Sequence, residues 1–217
     1  MFVDWFCVQK CRLCFAAFDW SEQRPYTVCQ RCFSELDLRP RVDIISDGDV
    51  SLKLAYAVDY DAPLISTMVR RLKFTGDSIC AYDLAAFAEP ALFAILREMD
   101  AIPHVVPVPL HWTRLWLRGY NQSQRIAEPL CDKLGLILRT NILYRSRRTK
   151  PHAKLDKHHR AINIQSAFRA RPARRNAPPL LLLDDVCTTG ATLLTCAKTL
   201  HAAGYTNVSA IAVARTL

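Results

Sequence analysis

A chain of 217 residues, 51% hydrophobic and 23% charged, with nine cysteines and a formal charge of +9, is long enough to bury an ordinary core, with room for one main domain and a small extra module. That balance excludes a disordered or fibrous chain. The N-terminus MFVDWFCVQK breaks its apolar residues with Asp4 and Lys10, so no secretory leader is expected, and the odd cysteine count argues against a complete disulfide framework and for a reducing, cytoplasmic setting.

The first predicted element is a pair of knuckles. CRLC at 11–14 and CQRC at 29–32 are separated by fourteen residues. Two Cys-x2-Cys turns at about this spacing present four thiolates to a tetrahedral zinc. With Cys11, Cys14, Cys29 and Cys32 all ligating, no position remains for water, so the site is structural rather than catalytic. A pocket of four reduced thiols is the alternative left open. The polar stretch LDLRPRVDIISDGDV at 36–50 reads as a connector, which separates a module and connector at 1–45 from a main domain at 46–217.

SLKLAYAVDY alternates, with Leu52, Leu54, Tyr56, Val58 and Tyr60 on one face, and predicts a half-buried strand. Asp61-Ala-Pro63 opens a helix whose Leu64, Ile65, Met68, Val69 and Leu72 share a face. A long apolar helix over 78–99 follows. Glu89 and Pro90 interrupt it, so it reads as a core helix and no membrane insertion is expected. Next come a buried strand in HVVPVP, a helix opened by Asn121 with Gln124 completing a capping box, and a basic middle region. The strand PLLLLDD, a helix over 190–203 closed by Gly204 and a last strand NVSAIAVAR complete the chain. Apolar strands alternating with helices predict an α/β domain with a mostly parallel sheet.

In such a sheet ligands bind beyond the carboxyl ends of the strands. LLLLDDVCTTGAT at 180–192 places Asp184 and Asp185 there, and the loop after them feeds a helix N-terminus. Small residues let backbone N–H groups approach an anion, and the helix start adds unpaired donors and its dipole. Thr188, Thr189 and Thr192, with Gly190 and Ala191 between them, suit a phosphate. The two carboxylates suit vicinal sugar hydroxyls or a magnesium ion, so the motif as a whole fits a sugar phosphate. Without a following Gly-Lys-Ser/Thr it is not a Walker A loop. Cys187 inside the loop reads as a small neutral filler rather than a reactive thiol.

The same stretch resembles the PRPP-binding signature of type I phosphoribosyltransferases, and more of the chain resembles one branch of them, the ComF (ComFC/GntX) family. The matching segments are the two CxxC pairs, RRLKFTGD at 70–77, VVPVPL at 105–110, the run from Arg114 through RGYNQS at 118–123, and RTKPHAKLDKHHRAIN at 148–163. With LLLLDDVCTTGATL they span nearly the whole chain in the family's order. The resemblance implies a type I phosphoribosyltransferase-like fold, a mostly parallel sheet flanked by helices, with a small N-terminal zinc-binding module. It implies that Asp184 and Asp185 contact ribose hydroxyls, that the Thr-rich loop cradles the 5-phosphate, and that the segment after VVPVP binds pyrophosphate. Arg114 and Arg118 lie in that segment, and a guanidinium forks onto two oxygens; ordinary surface arginines beside Trp112 and Trp116 are the alternative. The 148–163 segment corresponds to a hood over the sugar, with Arg148, Thr149, His152 and Arg160 as its candidate contacts. His152 stands where the family usually has Gln, which puts a role for that amide in doubt, whereas Arg160 and Asn163 keep the pattern.

Charge is unevenly placed. From Arg139 to Arg175 there are twelve Lys or Arg against one acid, Asp156, a local +11 in a chain of +9. Such a cluster attracts a polyanionic small ligand or a nucleic-acid backbone. RARPARR at 169–175 lacks the aromatic residues that stack on bases, and a solvated loop is its alternative reading. Three functions remain open. One is a phosphoribosyltransferase displacing pyrophosphate from PRPP with magnesium. A second, implied by the resemblance, is an accessory of natural transformation that handles incoming single-stranded DNA beside the competence DNA-uptake machinery. A PRPP-responsive regulator is the third.

Overall fold

The computed structural model describes residues 9–18, 27–146 and 167–216. A short antiparallel pair, β1 (Gln9–Lys10) and β2 (Ala17–Phe18), and the helix α1 (Gln30–Ser34) carry the cysteine knuckles. The chain then forms β3 (Arg41–Asp47) and β4 (Val50–Asp59), joined by a two-residue Gly48-Asp49 turn. Two helices follow, α2 (Pro63–Phe74) and α3 (Ile79–Leu96). After β5 (His104–Pro107) come α4 (Trp112–Arg118), α5 (Gln122–Leu134) and the edge strand β6 (Ile137–Leu138). A small antiparallel pair, β7 (Leu143–Arg145) and β8 (Phe168–Ala170), leads to β9 (Leu180–Cys187), α6 (Ala191–Ala202) and β10 (Val208–Arg215).

The six strands of the main sheet lie in the order β3-β4-β10-β9-β5-β6, with β3 antiparallel to β4 and every other neighbour parallel. Strand alternation sends successive side chains to opposite faces. Leu181 and Leu183 therefore join the core beneath α2, α3 and α5, while Leu180 and Leu182 join the second core beneath α6 and the β7–β8 pair. All four are fully buried, which is why this strand is a continuous apolar run.

Three sequence expectations change. The stretch 36–50 contains the edge strand β3 and is not a mere connector. Its one buried apolar anchor is Ile45, and charges fix the rest: Arg41 to Asp59 at 2.6 Å, Asp43 to Arg215, and Asp47 to Lys198 at 2.6 Å. β4 is half-buried only at its start; from Leu54 to Val58 both faces are buried, because β10 and the helices cover its far half. The helix expected over 78–99 is shorter, Ile79–Leu96, and its C-terminal turns give way to turn structure over 97–98.

α3 has the length and apolarity of a membrane span, yet it is mostly buried within the fold, with Leu84, Phe87, Leu92 and Ile95 wholly inside. It also anchors the knuckles. Thr27 donates through its backbone N–H (2.8 Å) and its hydroxyl to the buried carboxylate of Asp83. Phe33 stacks on Phe87 with ring centroids 5.8 Å apart, and Arg12 pairs with Asp77 at 3.1 Å.

Candidate sugar-phosphate site and cysteine cluster

From β5 the chain moves outward to β6, whereas from its neighbour β9 it moves the opposite way to β10. The crevice beyond these two strands is thus the topological switch point, where open α/β sheets bind ligands. A cavity of about 190 Å³ lies there, lined by Asp184, Asp185 and Thr192 from β9 and α6 and by Arg114 and Arg118 from α4. Five of the residues expected from the sequence are thereby brought together. Thr188, Thr189, Gly190 and Ala191 form the β9–α6 turn beside the cavity without lining it; both threonines and Ala191 are exposed and Gly190 is buried. The hood candidates Arg148, Thr149, His152 and Arg160 lie outside the described residues.

Gly190 is the N-cap of α6, and no side chain of its own caps the helix. Its φ of +77° is left-handed, and a Cβ there would sit 2.7 Å from Ile45 Cδ1. Both facts require glycine. The result is a tight turn that aims the first N–H groups of a twelve-residue helix outward, the arrangement that receives an anion. Thr189 Oγ1 accepts only a long bond, 3.4 Å, from Ala191 N–H.

Among the lining residues that the sequence did not single out, three carry a charge or a hydroxyl. Lys73, at the end of α2, places its ammonium 2.6 Å from Asp185 Oδ2. Ser123, in the first turn of α5, donates its hydroxyl to Asp184 Oδ1 at 2.9 Å. Arg145, on β7, lies over the Phe168 ring at 5.1 Å and lines the cavity. Lys73 and Ser123 stand inside RRLKFTGD and RGYNQS, so the motifs held them but not their roles; Arg145 carried no signal beyond the basic run. Asn121 caps α5 as expected, accepting from Ser123 N–H at 3.1 Å, and its amide donates to Val108 carbonyl at 2.9 Å. Gln124 does not complete a capping box: its amide turns along the helix to Glu128, 2.9 Å away.

Burial raises the Asp184 carboxyl, and the neighbouring Asp185 raises it further; Ser123, the Asp185 N–H and Lys73 oppose them, leaving it at about 7. Burial lowers the Arg145 guanidinium, and Arg114 adds repulsion. Cys187 is buried and its thiol is pushed up by that burial, in keeping with a neutral filler. The site therefore combines two carboxylates, one of them with a raised carboxyl, four cations and an open helix N-terminus. Its chemistry suits a ligand with hydroxyls at one end and phosphates around it. The carboxylates and hydroxyls are also the oxygen donors that magnesium takes.

The four cysteine ligand atoms lie within 4.8 Å of one another, and the Cys14 and Cys29 sulfurs are 3.7 Å apart. Tetrahedral zinc with Zn–S bonds of about 2.3 Å needs sulfurs roughly 3.8 Å apart, so the donor set fits. Burial raises the Cys11 thiol, but N–H groups of Cys29, Cys14 and Leu13 outweigh it and bring it down to about 6. Burial and the neighbouring thiols together push Cys32 far up. Four thiols in one site resist full ionisation until a cation arrives.

Fold and site together define a mostly parallel α/β protein with a switch-point cavity and a four-cysteine module. No family model matches the sequence. It is 34% identical over 170 residues to the DNA utilization protein YhgH of Salmonella typhi, covering 76% of this chain and 73% of that one. It is 28% identical over 214 residues to Competence protein F of Haemophilus influenzae, covering 96% and 92%. The chain belongs to the ComF family. Among solved structures it is similar to adenine phosphoribosyltransferase from Thermoanaerobacter pseudethanolicus (TM-score 0.37, 12% identity, 80% of this chain and 95% of that one). Orotate phosphoribosyltransferase from Aeropyrum pernix is also similar (TM-score 0.34, 18% identity, 82% and 75%).

Proposed function

We propose that this protein binds PRPP in the switch-point cavity and acts as a phosphoribosyltransferase-like accessory of natural transformation, handling incoming single-stranded DNA in the cytoplasm. The observation that carries the PRPP reading is the cavity itself, where an acidic pair, an open helix start and the cations Lys73, Arg114, Arg118 and Arg145 converge. The names of the relatives, Competence protein F and DNA utilization protein, support the DNA reading.

In this reading Asp184 and Asp185 accept hydrogen bonds from the vicinal ribose hydroxyls, with Ser123 orienting Asp184 and Lys73 orienting Asp185. The α6 N-terminus with Thr188, Thr189, Gly190, Ala191 and Thr192 cradles the 5-phosphate. Arg114 and Arg118 fork onto the diphosphate. A magnesium ion bound with PRPP would neutralise diphosphate charge. If pyrophosphate leaves, the carboxylates stand where they stabilise positive charge at the anomeric carbon. Cys11, Cys14, Cys29 and Cys32 hold a structural zinc, and freshly purified, reduced protein is expected to contain one equivalent.

Calorimetric titration of PRPP with magnesium into wild type and Asp184→Asn/Asp185→Asn tests this, with pyrophosphate followed in the same samples. Binding that disappears in the double variant supports the site, and pyrophosphate release then separates a transferase from a sensor. No heat of binding to the wild type refutes the PRPP reading.

A further inference from the structure

None of the seven residues of α4 is buried, although four of them are large and apolar. Leu117 is 75% exposed, and so is Phe74, across from it at the end of α2. These two side chains, with Thr75, Gly76 and Tyr120, line a concave shelf of about 680 Å³. Exposed apolar surface gathered in one place marks a contact site. Every charged residue among the described lining is basic: Lys73, Arg114 and Arg118. The same three line the sugar-phosphate cavity, so shelf and cavity are continuous. The Arg118 guanidinium lies over the Phe74 ring, 5.5 Å from its centroid, and Tyr120 ties the shelf to α2 by donating its hydroxyl to the Leu72 carbonyl.

We propose that this shelf holds a nucleotide of a single-stranded nucleic acid, its base on Phe74 and Leu117 and its phosphate on Arg118 and Lys73, so that the strand and PRPP compete for the same cations. This deepens the DNA reading above and rests on it. An aromatic floor beside fixed cations is the chemistry that holds a single strand without regard to sequence, since every base has a face to stack and every nucleotide carries an anion. An apolar peptide would cover Phe74 and Leu117 but leave Arg114 and Arg118 without an acidic partner among the described residues, Lys73 alone being paired, with Asp185.

Two other surfaces fit less well. Trp112 and Trp116, 64% and 82% exposed, are four residues apart on the opposite side of α4 from Arg114 and Arg118. RARPARR has no aromatic residue and precedes the amino end of β9. The five steps from Leu180 to Asp185 rise about 16 Å at roughly 3.3 Å each, which separates that loop from the cavity.

The test is fluorescence anisotropy of an end-labelled oligothymidylate against wild type, Phe74→Ala/Leu117→Ala and Trp112→Ala/Trp116→Ala, with and without PRPP and magnesium. All four side chains are largely exposed, so the variants are expected to fold, and PRPP calorimetry reports whether each does. The proposal expects the shelf variant to bind the strand about tenfold more weakly, from the loss of base stacking, while still titrating with PRPP. It also expects PRPP to raise the apparent Kd of the strand linearly with PRPP concentration, by the factor one plus the ratio of free PRPP to its own Kd, as competition for one site requires. Several results overturn it: unchanged strand affinity in the shelf variant, a loss confined to the Trp112/Trp116 variant, PRPP binding that falls as far as strand binding, or a strand indifferent to PRPP. A wild type that binds no strand at all refutes the DNA reading itself, a distinct outcome.

Discussion

Asp184 links the chemistry of the site to the stability of the fold. Its folded carboxyl titrates at about 7, above its ordinary 3.8, chiefly because it is partly buried and next to Asp185. A raised acid favours the neutral form in the folded state. Its contribution is therefore complete below pH 3.8 and is lost as pH rises through about 7. Above that, the protein carries a penalty on the order of a few kcal/mol, at about 1.4 kcal/mol per pKa unit. Asp184→Asn keeps the acceptor for Ser123 and removes the charge. It is expected to be as stable as wild type near pH 4 and more stable at pH 8, while losing PRPP. Denaturant melts at the two pH values decide this; an equal difference at both would mean the charge is not the cause. Such a conflict between stability and binding is common at functional sites. The carboxylates themselves were visible in the sequence, because an acidic pair directly after an apolar run has few structural uses. Lys73 and Ser123 were not assigned, because their roles depend on α2 and α5 meeting β9 across 112 and 61 residues of chain.

At the scale of elements, the β9–α6 junction is set by Gly190 against Ile45 of β3. Gly190→Ala meets two separate obstacles, a φ of +77° and a Cδ1 at 2.7 Å. Ile45→Val removes that carbon and leaves the next contacts at 3.7 Å. The alanine variant alone is expected to lose more than 2 kcal/mol, and adding Ile45→Val should relieve the clash while leaving the left-handed strain of about 1–2 kcal/mol. A double-mutant cycle on denaturant midpoints measures this coupling, and additive effects would refute the contact. The knuckles depend likewise on α3. Asp83→Ala leaves two Thr27 donors without their carboxylate, at roughly 1–3 kcal/mol. It is expected to speed thiol labelling of Cys11 and Cys32 several-fold with the far-UV spectrum unchanged; unaltered labelling would mean Phe33 and the cysteines hold the module alone. Elements with strong apolar periodicity, β9, β10 and α2, were legible in the chain. β3 was not, because one buried isoleucine and three ion pairs leave little hydrophobic pattern in an edge strand.

Over the whole molecule, positive charge sits at both ends of the sheet. Lys73, Arg114, Arg118 and Arg145 gather at the carboxyl end, while Arg171, Arg174 and Arg175 are exposed before the amino end of β9. A short strand held at the shelf leaves the second group untouched, whereas a long one reaches it. Each phosphate neutralised on a single strand contributes about 0.7 to the slope of log affinity against log salt. Replacing Arg171, Arg174 and Arg175 by alanine is therefore expected to flatten that slope by roughly 2 for a long oligothymidylate. For one of about eight nucleotides, within the span of a single compact site, no change is expected. Salt titrations of both lengths against wild type and the triple variant read this directly. Equal flattening at both lengths would put the primary contact on the basic loop and leave the α2–α4 shelf without a strand.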